Sequence, residues 1–578
     1  MTTLQSSLRN YSPAMLRAIA EANGVELASN QTSQMVGQLA ALLHDADHVR
    51  ASLVACTPAA QQALADLLRT EGRSPRPAFE RSHGAIRPAG PARLERERPH
   101  LAPANPTEEL WYRGLLHSAM VETADGLMEF LCVPPELASL LPAPPPVEQV
   151  FPPAPLLTAV GSVGDRPERD AVGAVGSVRD RPERGAVDAV GSVGDRPERD
   201  AVGTVGDRPE RDAVGSVGSV GDRPERGAVA DLALHELCTL LCLAQAGLIA
   251  LRDPTDLLSW QSTSLYEYQR HSLQPPSNPA WLTSDGPGSP AALALALAVE
   301  LGWLRAIGRR LALASAPMQV WLGASRAEQR DQLLAAWSDS TRWNDLCRTP
   351  ALSCEQTGSW SNDAAGTRHR LLPLLARLQP GAWYDLDALA AALQRHAPDF
   401  QRPDGNYDTW YIRQRGASAF LRGFEHWEQV EGALLRFVLS GPLHWLGATA
   451  LATAHETGPP AAISLSAAGQ AWLSGAPADQ TPDPALLTVQ PDFTVLVPGD
   501  AALLDRFRVA RFTTWQGATL TAGQASFTYR ISQTGLHRAA QQGVDTARVL
   551  AFLQARAAPL PANVTAALER RGTGKGER

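Results

Sequence analysis

The sequence predicts a predominantly α-helical, multi-domain chain with small β-ribbons, an α+β class in which winged-helix-like units precede a C-terminal α+β domain. Apolar residues recur at helical spacing in several separate windows, for example Met15, Leu16 and Ile19, or Leu386, Leu389, Ala390 and Leu393. Short apolar runs closed by turn residues follow two of the helical stretches, a helix-then-ribbon order. The 578 residues, with 45 prolines and 46 glycines, exceed a single core, so several units joined by turns or linkers are expected.

Residues 1–72 read as a helical unit. Tyr11, Met15, Leu16 and Ile19 form one amphipathic helix, Asn23-Gly24-Val25-Glu26-Leu27 breaks it, and Met35, Val36, Leu39, Leu42 and Leu43 restart it. This helix, loop, helix order resembles the small SAP-like motif of some DNA-binding proteins, and a plain helical hairpin has the same pattern. A further helix is expected over Pro58 to Thr70, and a Pro- and Arg-rich connection over residues 73–106. Within 107–142, the runs Leu115 to Ser118 and Met128 to Val133 flank Asp125-Gly126, a dipeptide that favours a tight turn with positive φ. A β-hairpin following a helix makes this a winged-helix-like portion.

Residues 143–229 read as a disordered linker. Asp-Arg-Pro-Glu-Arg occurs five times, beginning at Asp165, Asp180, Asp195, Asp207 and Asp222. The tract from 161 to 229 has no aromatic residue, leucine or isoleucine. Valine alone cannot bury enough surface to offset the entropy of ordering, and solenoid repeats carry an apolar pattern that is missing here. As a Gly-rich coil it would span about 45 Å.

Residues 230–353 read as a mostly helical middle domain, with Trp303, Trp321, Trp337 and Trp343 for its core and Ala291 to Ala298 as a buried helix. His235, Cys238 and Cys242 share one helical face, but a zinc site needs four ligands and these sit among leucines, so they are read as helix-core residues. Residues 365–475 read as a winged-helix domain: a helix through Leu371, Leu375 and Leu378, a second through Leu386 to Leu393, a third through Val430 to Val438, strands over Leu443 to Ala452 and Ala462 to Leu465, and Ser466 as a helix cap. Residues 484–571 read as a small α+β domain. Leu486 to Pro498 is strand-rich, a helix surrounds Leu503, Leu504 and Phe507, and Phe527 to Ile531 forms a strand. Ser532 or Thr534 and then Asp545 cap two helices.

This last domain resembles the N-terminal domain of XPB-type helicases and bacterial helicase-associated proteins. The resemblance is carried by Val489-Gln490-Pro491-Asp492-Phe493, Tyr529-Arg530-Ile531-Ser532, Ala539-Ala540-Gln541-Gln542-Gly543-Val544 and Pro559-Leu560-Pro561-Ala562-Asn563-Val564. It extends more loosely upstream through Pro442-Leu443-His444-Trp445-Leu446-Gly447 and Leu110-Trp111-Tyr112-Arg113-Gly114-Leu115-Leu116. It implies a helicase-related accessory role in transcription or repair. It does not transfer a motor, because Lys575 is the only lysine of the chain and neither a Ser or Thr nor a helix follows it, as a phosphate-cradling loop requires.

Much enzyme chemistry is thereby excluded, and a non-enzymatic protein without cofactors is expected. No H-E-x-x-H or G-x-S-x-G motif occurs; His426 is read as a surface histidine and His444 as a core histidine. The six cysteines are scattered as reduced thiols of a cytoplasmic protein would be. No stretch reaches the roughly 20 apolar residues of a membrane span. DNA is the expected partner despite a net charge of −8, because residues 500–578 carry eleven positive and five negative groups. Arg506, Arg508, Arg511, Arg530 and Arg538 are the candidate phosphate contacts. The alternative is a scaffold for a separate helicase, transcription or repair protein, without DNA contact.

Overall fold

One supersecondary pattern is laid down three times, twice in full and once in part: helix, short strand, helix, helix, then a ribbon whose second strand returns to pair with the first short strand. The structure, a computed structural model, describes residues 3–123, 126–144, 151–156, 231–249, 288–355, 362–453, 458–476, 484–521, 524–557 and 559–572. The five-copy repeat tract and Lys575 lie outside these residues. The expected linker does not begin at 143, however. Phe151 is buried, Arg377 Nη2 donates to its carbonyl at 2.7 Å, and the amide of Leu156 donates to Trp383 O at 2.7 Å.

In the first unit, Thr57 caps the helix Pro58–Arg69, which leads into β1 (Arg73–Pro75). Helices Arg76–His83, Pro91–Glu97 and Pro106–Tyr112 follow, then β2 (His117–Thr123) and β3 (Gly126–Cys132). The antiparallel sheet has the order β1-β3-β2, with Leu131 facing Ser74 on one side and Ser118 on the other. The Pro- and Arg-rich connection expected over 73–106 contains β1 and helices: Pro77, Pro91 and Pro106 lie in first helical turns, where the missing N–H has no helical acceptor to serve. Helices Leu4–Arg9, Pro13–Ala22, Thr32–His44 and Ala46–Val54 share one apolar core with this unit, so 1–72 and 107–142 are a single body.

The middle unit starts with helix Leu232–Gln245, after which the carbonyl of Ile249 accepts from Leu311 N at 3.5 Å, in the place of the short strand. Helix Pro290–Glu300 precedes the antiparallel ribbon β4 (Leu304–Ile307) and β5 (Arg310–Leu313). Reading 230–353 as mostly helical overlooks this ribbon, whose strands are four residues each and too short for a convincing alternation. Helices Ser315–Gly323, Arg326–Asp339 and Asp345–Arg348 complete the region, and Trp303, Trp321, Trp337 and Trp343 are all buried. β6 (Leu352–Cys354) leaves it.

The third unit runs through helix Ala364–Leu375, β7 (Trp383–Asp385), helix Leu386–His396 and β8 (Ile412–Gln414), which pairs back onto β6. Its third helix is Ala433–Ser440, entered through a π-helical turn at Glu428–Gly432 and followed by the helical turn Pro442–Trp445. β9 (Thr449–Thr453) and β10 (Pro460–Leu465) close the sheet in the order β7-β10-β9, Ile463 facing both Tyr384 and Leu451. The predicted strand from Leu443 is thus helical as far as Trp445, because Pro442 opens a turn with φ already set for helix. Ser466 caps the next helix by accepting from Gly469 N. Arg81 ties the first unit to the third: its Nη2 meets Asp399 at 2.7 Å and its guanidinium lies over the rings of Tyr407 and Phe424.

The C-terminal domain comprises β11 (Thr488–Val489), β12 (Thr494–Pro498), helix Leu503–Phe512, β13 (Thr513–Thr521), β14 (Gln524–Ile531) and helices Gln533–Gln541, Thr546–Arg556 and Ala562–Gly572. Its antiparallel sheet has the order β11-β12-β14-β13. Ser532 and Asp545 supply the caps; Thr534 lies one turn inside and does not. β13 escapes prediction because it is largely polar and only partly buried. The quoted motif segments hold one another: Asn563 Nδ2 donates to Pro491 O at 2.7 Å, and Ile531 N to Phe493 O at 2.9 Å, across a turn in which Phe493 has φ +71°.

In every unit the helical segment before the ribbon is followed by a glycine in the left-handed region, Gly114, Gly302 or Gly447, and the next amide bonds five residues back, as Leu115 N to Leu110 O, Trp303 N to Ala298 O and Ala448 N to Leu443 O. The segments Leu110–Leu116 and Pro442–Gly447 therefore occupy equivalent places in two units. Helices Pro290–Glu300 and Ala433–Ser440 turn their apolar residues inward: all residues from Pro290 to Ala298 are buried, as are Leu434, Leu435, Phe437, Val438 and Leu439.

The third unit also buries an ion pair. Arg402 Nε donates to Glu431 Oε1 at 2.6 Å, both residues are 1 % exposed or less, and Glu431 Oε2 has no partner. Burial raises the Glu431 carboxyl from 4.5 to about 7, against the opposing pull of Arg402. A carboxyl whose folded-state pKa is raised binds its proton more tightly when folded, so its contribution is largest below pH 4.5 and is lost as pH rises to about 7. The unfolding free energy of the wild type, relative to Glu431→Gln, is expected to fall by roughly 3 kcal/mol across that window in urea titrations. A pH-independent difference would contradict this.

Candidate nucleic-acid interface

The five C-terminal arginines do not form one surface. Arg506 is 1 % exposed: Nε donates to Tyr529 Oη at 3.1 Å, Nη1 to His235 O at 3.0 Å and Nη2 to Thr239 Oγ1, with Cζ 3.4 Å from the Phe527 ring centroid. It sits on the inward face of helix Leu503–Phe512, against Leu232–Gln245, and cannot reach a phosphate. Its pKa is nonetheless raised: burial lowers it, and Tyr529, Cys238 and Cys242 more than compensate. Arg538 is also structural. Half-buried, it donates from Nη2 to Ala510 O at 2.8 Å and Thr513 O at 2.6 Å, serving carbonyls at that helix's C-terminal end, where the helix itself supplies no donor. Arg511 is half-buried and donates to Gln542 Oε1 at 3.1 Å. Only Arg508 and Arg530 are exposed, Arg508 with Asp505 at 3.8 Å, Arg530 on β14. Helical period alone cannot say which side of a short helix carrying Arg506 and Arg508 faces inward.

A different set of arginines is brought together. The β4–β5 ribbon turns on Gly308-Arg309, with Gly308 at φ +56° as the first residue of a two-residue turn. Ile307 pairs with Arg310 and Arg305 with Ala312, so Arg305, Ile307 and Arg310 share one face of the ribbon. Arg305, Arg309 and Arg310 are exposed, and among the described residues no carboxylate pairs with Arg305 or Arg310. Sequence reasoning missed this tip by reading residues 230–353 as mostly helical. The available signal was Gly308 between two alternating four-residue runs.

A smaller aromatic and basic patch flanks β8 in the third unit. Tyr411, 38 % exposed, meets Phe420 edge to face at 5.5 Å, and the exposed Arg422 lies over both rings. Such stacks suit unpaired bases.

The remaining candidates fall into the core. Cys238 and Cys242 are buried on Leu232–Gln245, Cys238 Sγ donating to Leu503 O at 3.7 Å. His444 is buried with Nδ1 2.8 Å from Thr449 O, and burial lowers its pKa to about 4; His426 is partly exposed beside Arg422 O. Among the described residues no group of three or more His, Cys, Asp or Glu side chains is placed to hold a metal ion. No helix among them is long and apolar enough to cross a membrane. No protein-family model matches the chain, and no curated protein matches it.

Proposed function

We propose that this is a non-enzymatic, helicase-associated DNA-binding accessory protein whose principal contact is the β4–β5 wing. The observation that carries the reading is the exposed tip bearing Arg305, Arg309 and Arg310. A short, twisted ribbon with three guanidinium groups can enter a groove or lie along phosphates, and Arg is the side chain best suited to bidentate phosphate contact. The association with a helicase rests on the resemblance of residues 484–571 to the XPB-type N-terminal domain. The inward-facing helix Pro290–Glu300 directs attention to the wing that follows it, since a helix buried throughout from Pro290 to Ala298 has no side chains there left for base edges.

The test is fluorescence anisotropy of the full chain with duplex, forked and single-stranded DNA over a salt series. The triple charge reversal Arg305→Glu, Arg309→Glu and Arg310→Glu is expected to lower affinity roughly 100-fold or more at low salt. It should flatten the slope of log K against log salt by about 3. Unchanged affinity and slope would discard the wing as the contact.

One observation favours a second reading, a protein scaffold for a separate helicase, transcription or repair protein. Met120 and Leu127 are 58 % and 66 % exposed on one face of the β2–β3 ribbon, beside Glu122. An apolar, acidic wing suits a protein partner better than DNA. DNA binding that disappears with the wing arginines would count against this alternative.

A further inference from the structure

One side chain of the β4–β5 wing is not used by the ribbon's own packing. Leu304 and Leu311 form the inner face at 2 % exposure, with Ala306 and Leu313 packed beside them, whereas Arg305, Ile307, Arg310 and Ala312 share the outer face. Ile307 stands at the last paired position before the turn and is 55 % exposed. Its cross-strand partner is Arg310, Arg305 lies two residues before it on the same face, and Arg309 is exposed on the turn. An apolar side chain is thus set among three guanidinium groups. Exposure alone does not point to nucleic acid, since Met120 and Leu127 of the β2–β3 ribbon are comparably exposed but are accompanied by Glu122. On the β4–β5 wing the arginines select a polyanion as the occupant.

The ribbon is also stiff. Strands of four residues hold the tip close to its base, where Trp303 O accepts from Ala314 N at 2.8 Å and Ile249 O from Leu311 N at 3.5 Å. Isoleucine is β-branched and restricted at χ1, so fixing it in one rotamer costs little entropy. Paired strands lie about 4.8 Å apart, so with its side chains the ribbon overfills a minor groove about 6 Å wide unless that groove is opened. The major groove would admit the ribbon unstrained, but it offers an isoleucine only thymine methyl groups. A base step pried open from the minor groove lets the apolar side chain bury itself between the bases, with the arginines placed for the phosphates on either side.

We infer that the wing bends DNA, with Ile307 as a wedge inserted between base pairs from the minor groove. The inference rests on the wing as the DNA contact and adds what that contact does to the duplex. Pyrimidine–purine steps unstack most readily, so a duplex with a central TA step is the preferred occupant.

Energy transfer between dyes at the two ends of a duplex of about 25 base pairs, with anisotropy on the same samples, tests it. The full chain is expected to raise transfer to that of a duplex bent by roughly 20–90°. A central TA step should bind more tightly than a GC step at the same place. Ile307→Ala should return transfer most of the way to that of the free duplex and weaken binding roughly threefold to tenfold. The salt slope should be kept, because no phosphate contact is removed. Ile307→Leu, which retains an apolar wedge, should keep the bend. The position is exposed, so neither variant threatens folding. Bound DNA that stays straight, or a bend that Ile307→Ala leaves intact, overturns the inference while leaving the wing as the contact. Absence of DNA binding, or binding that the triple arginine variant leaves unchanged, overturns both.

Discussion

Asp345→Ala is expected to destabilise the protein by about 4–5 kcal/mol. Asp345 is a buried hub. Its Oδ1 accepts from the indole nitrogens of Trp337 at 3.2 Å and Trp343 at 2.7 Å, and its Oδ2 from Arg368 Nε at 2.7 Å. Arg368, 1 % exposed, also donates to the carbonyls of Ser338, Ser340 and Trp343 and lies over the Trp337 ring. Removing the carboxylate strands a buried cation and two indole donors at once, each without water to turn to. Asp345→Asn keeps an acceptor but not the charge, and should fall between wild type and alanine. Urea unfolding followed by tryptophan fluorescence measures both, since two of the reporters touch the site. An alanine variant within about 1 kcal/mol of wild type would show that the hub is dispensable.

Arg506→Gln is expected to cost about 3–4 kcal/mol, by loosening the C-terminal domain from the helix Leu232–Gln245. The guanidinium joins His235 O and Thr239 Oγ1 on that helix to Tyr529 on β14, and it stacks on Phe527. Glutamine is too short to reach all three partners, so at least one buried acceptor loses its donor. Hydrogen exchange should report the change as faster exchange in both Leu232–Gln245 and β14. If the variant instead kept wild-type protection while losing DNA affinity, Arg506 would have to be returned to the surface. The contrast with Arg508→Glu is informative, because that side chain is about half exposed and its bond to Asp505 is long, so its stability effect should stay below about 1 kcal/mol.

Helices were legible where capping and periodicity coincided. Ser466, Ser532 and Asp545 were each identifiable as caps, because a short oxygen-bearing side chain preceding an apolar run has few other uses. Proline was the main source of error. Pro77, Pro91, Pro106 and Pro442 suggest interruption by composition, yet each lies in the first turn of a helix, a distinction that depends on which carbonyls lie upstream. Short strands such as β1, β6, β7 and β8 exist only through pairing with distant partners, so three residues of local pattern could not announce them. The arginines divide in the same way. The sequence identifies Arg506 and Arg305 equally as cations, and only packing separates the one enclosed by Phe527 and Tyr529 from the one on an open ribbon.

In a winged helix that reads bases, the third helix answers to two masters, the core on one side and the groove on the other, and a change that suits one often offends the other. Here the helix Pro290–Glu300 answers to the core alone, from Pro290 to Ala298 without a solvent-facing residue. The β4–β5 ribbon is thereby released from that compromise. A lineage could recharge, lengthen or blunt a wing tip at little risk to folding, and could drift through unlike surface preferences while the glycine-terminated helices beneath stayed the same.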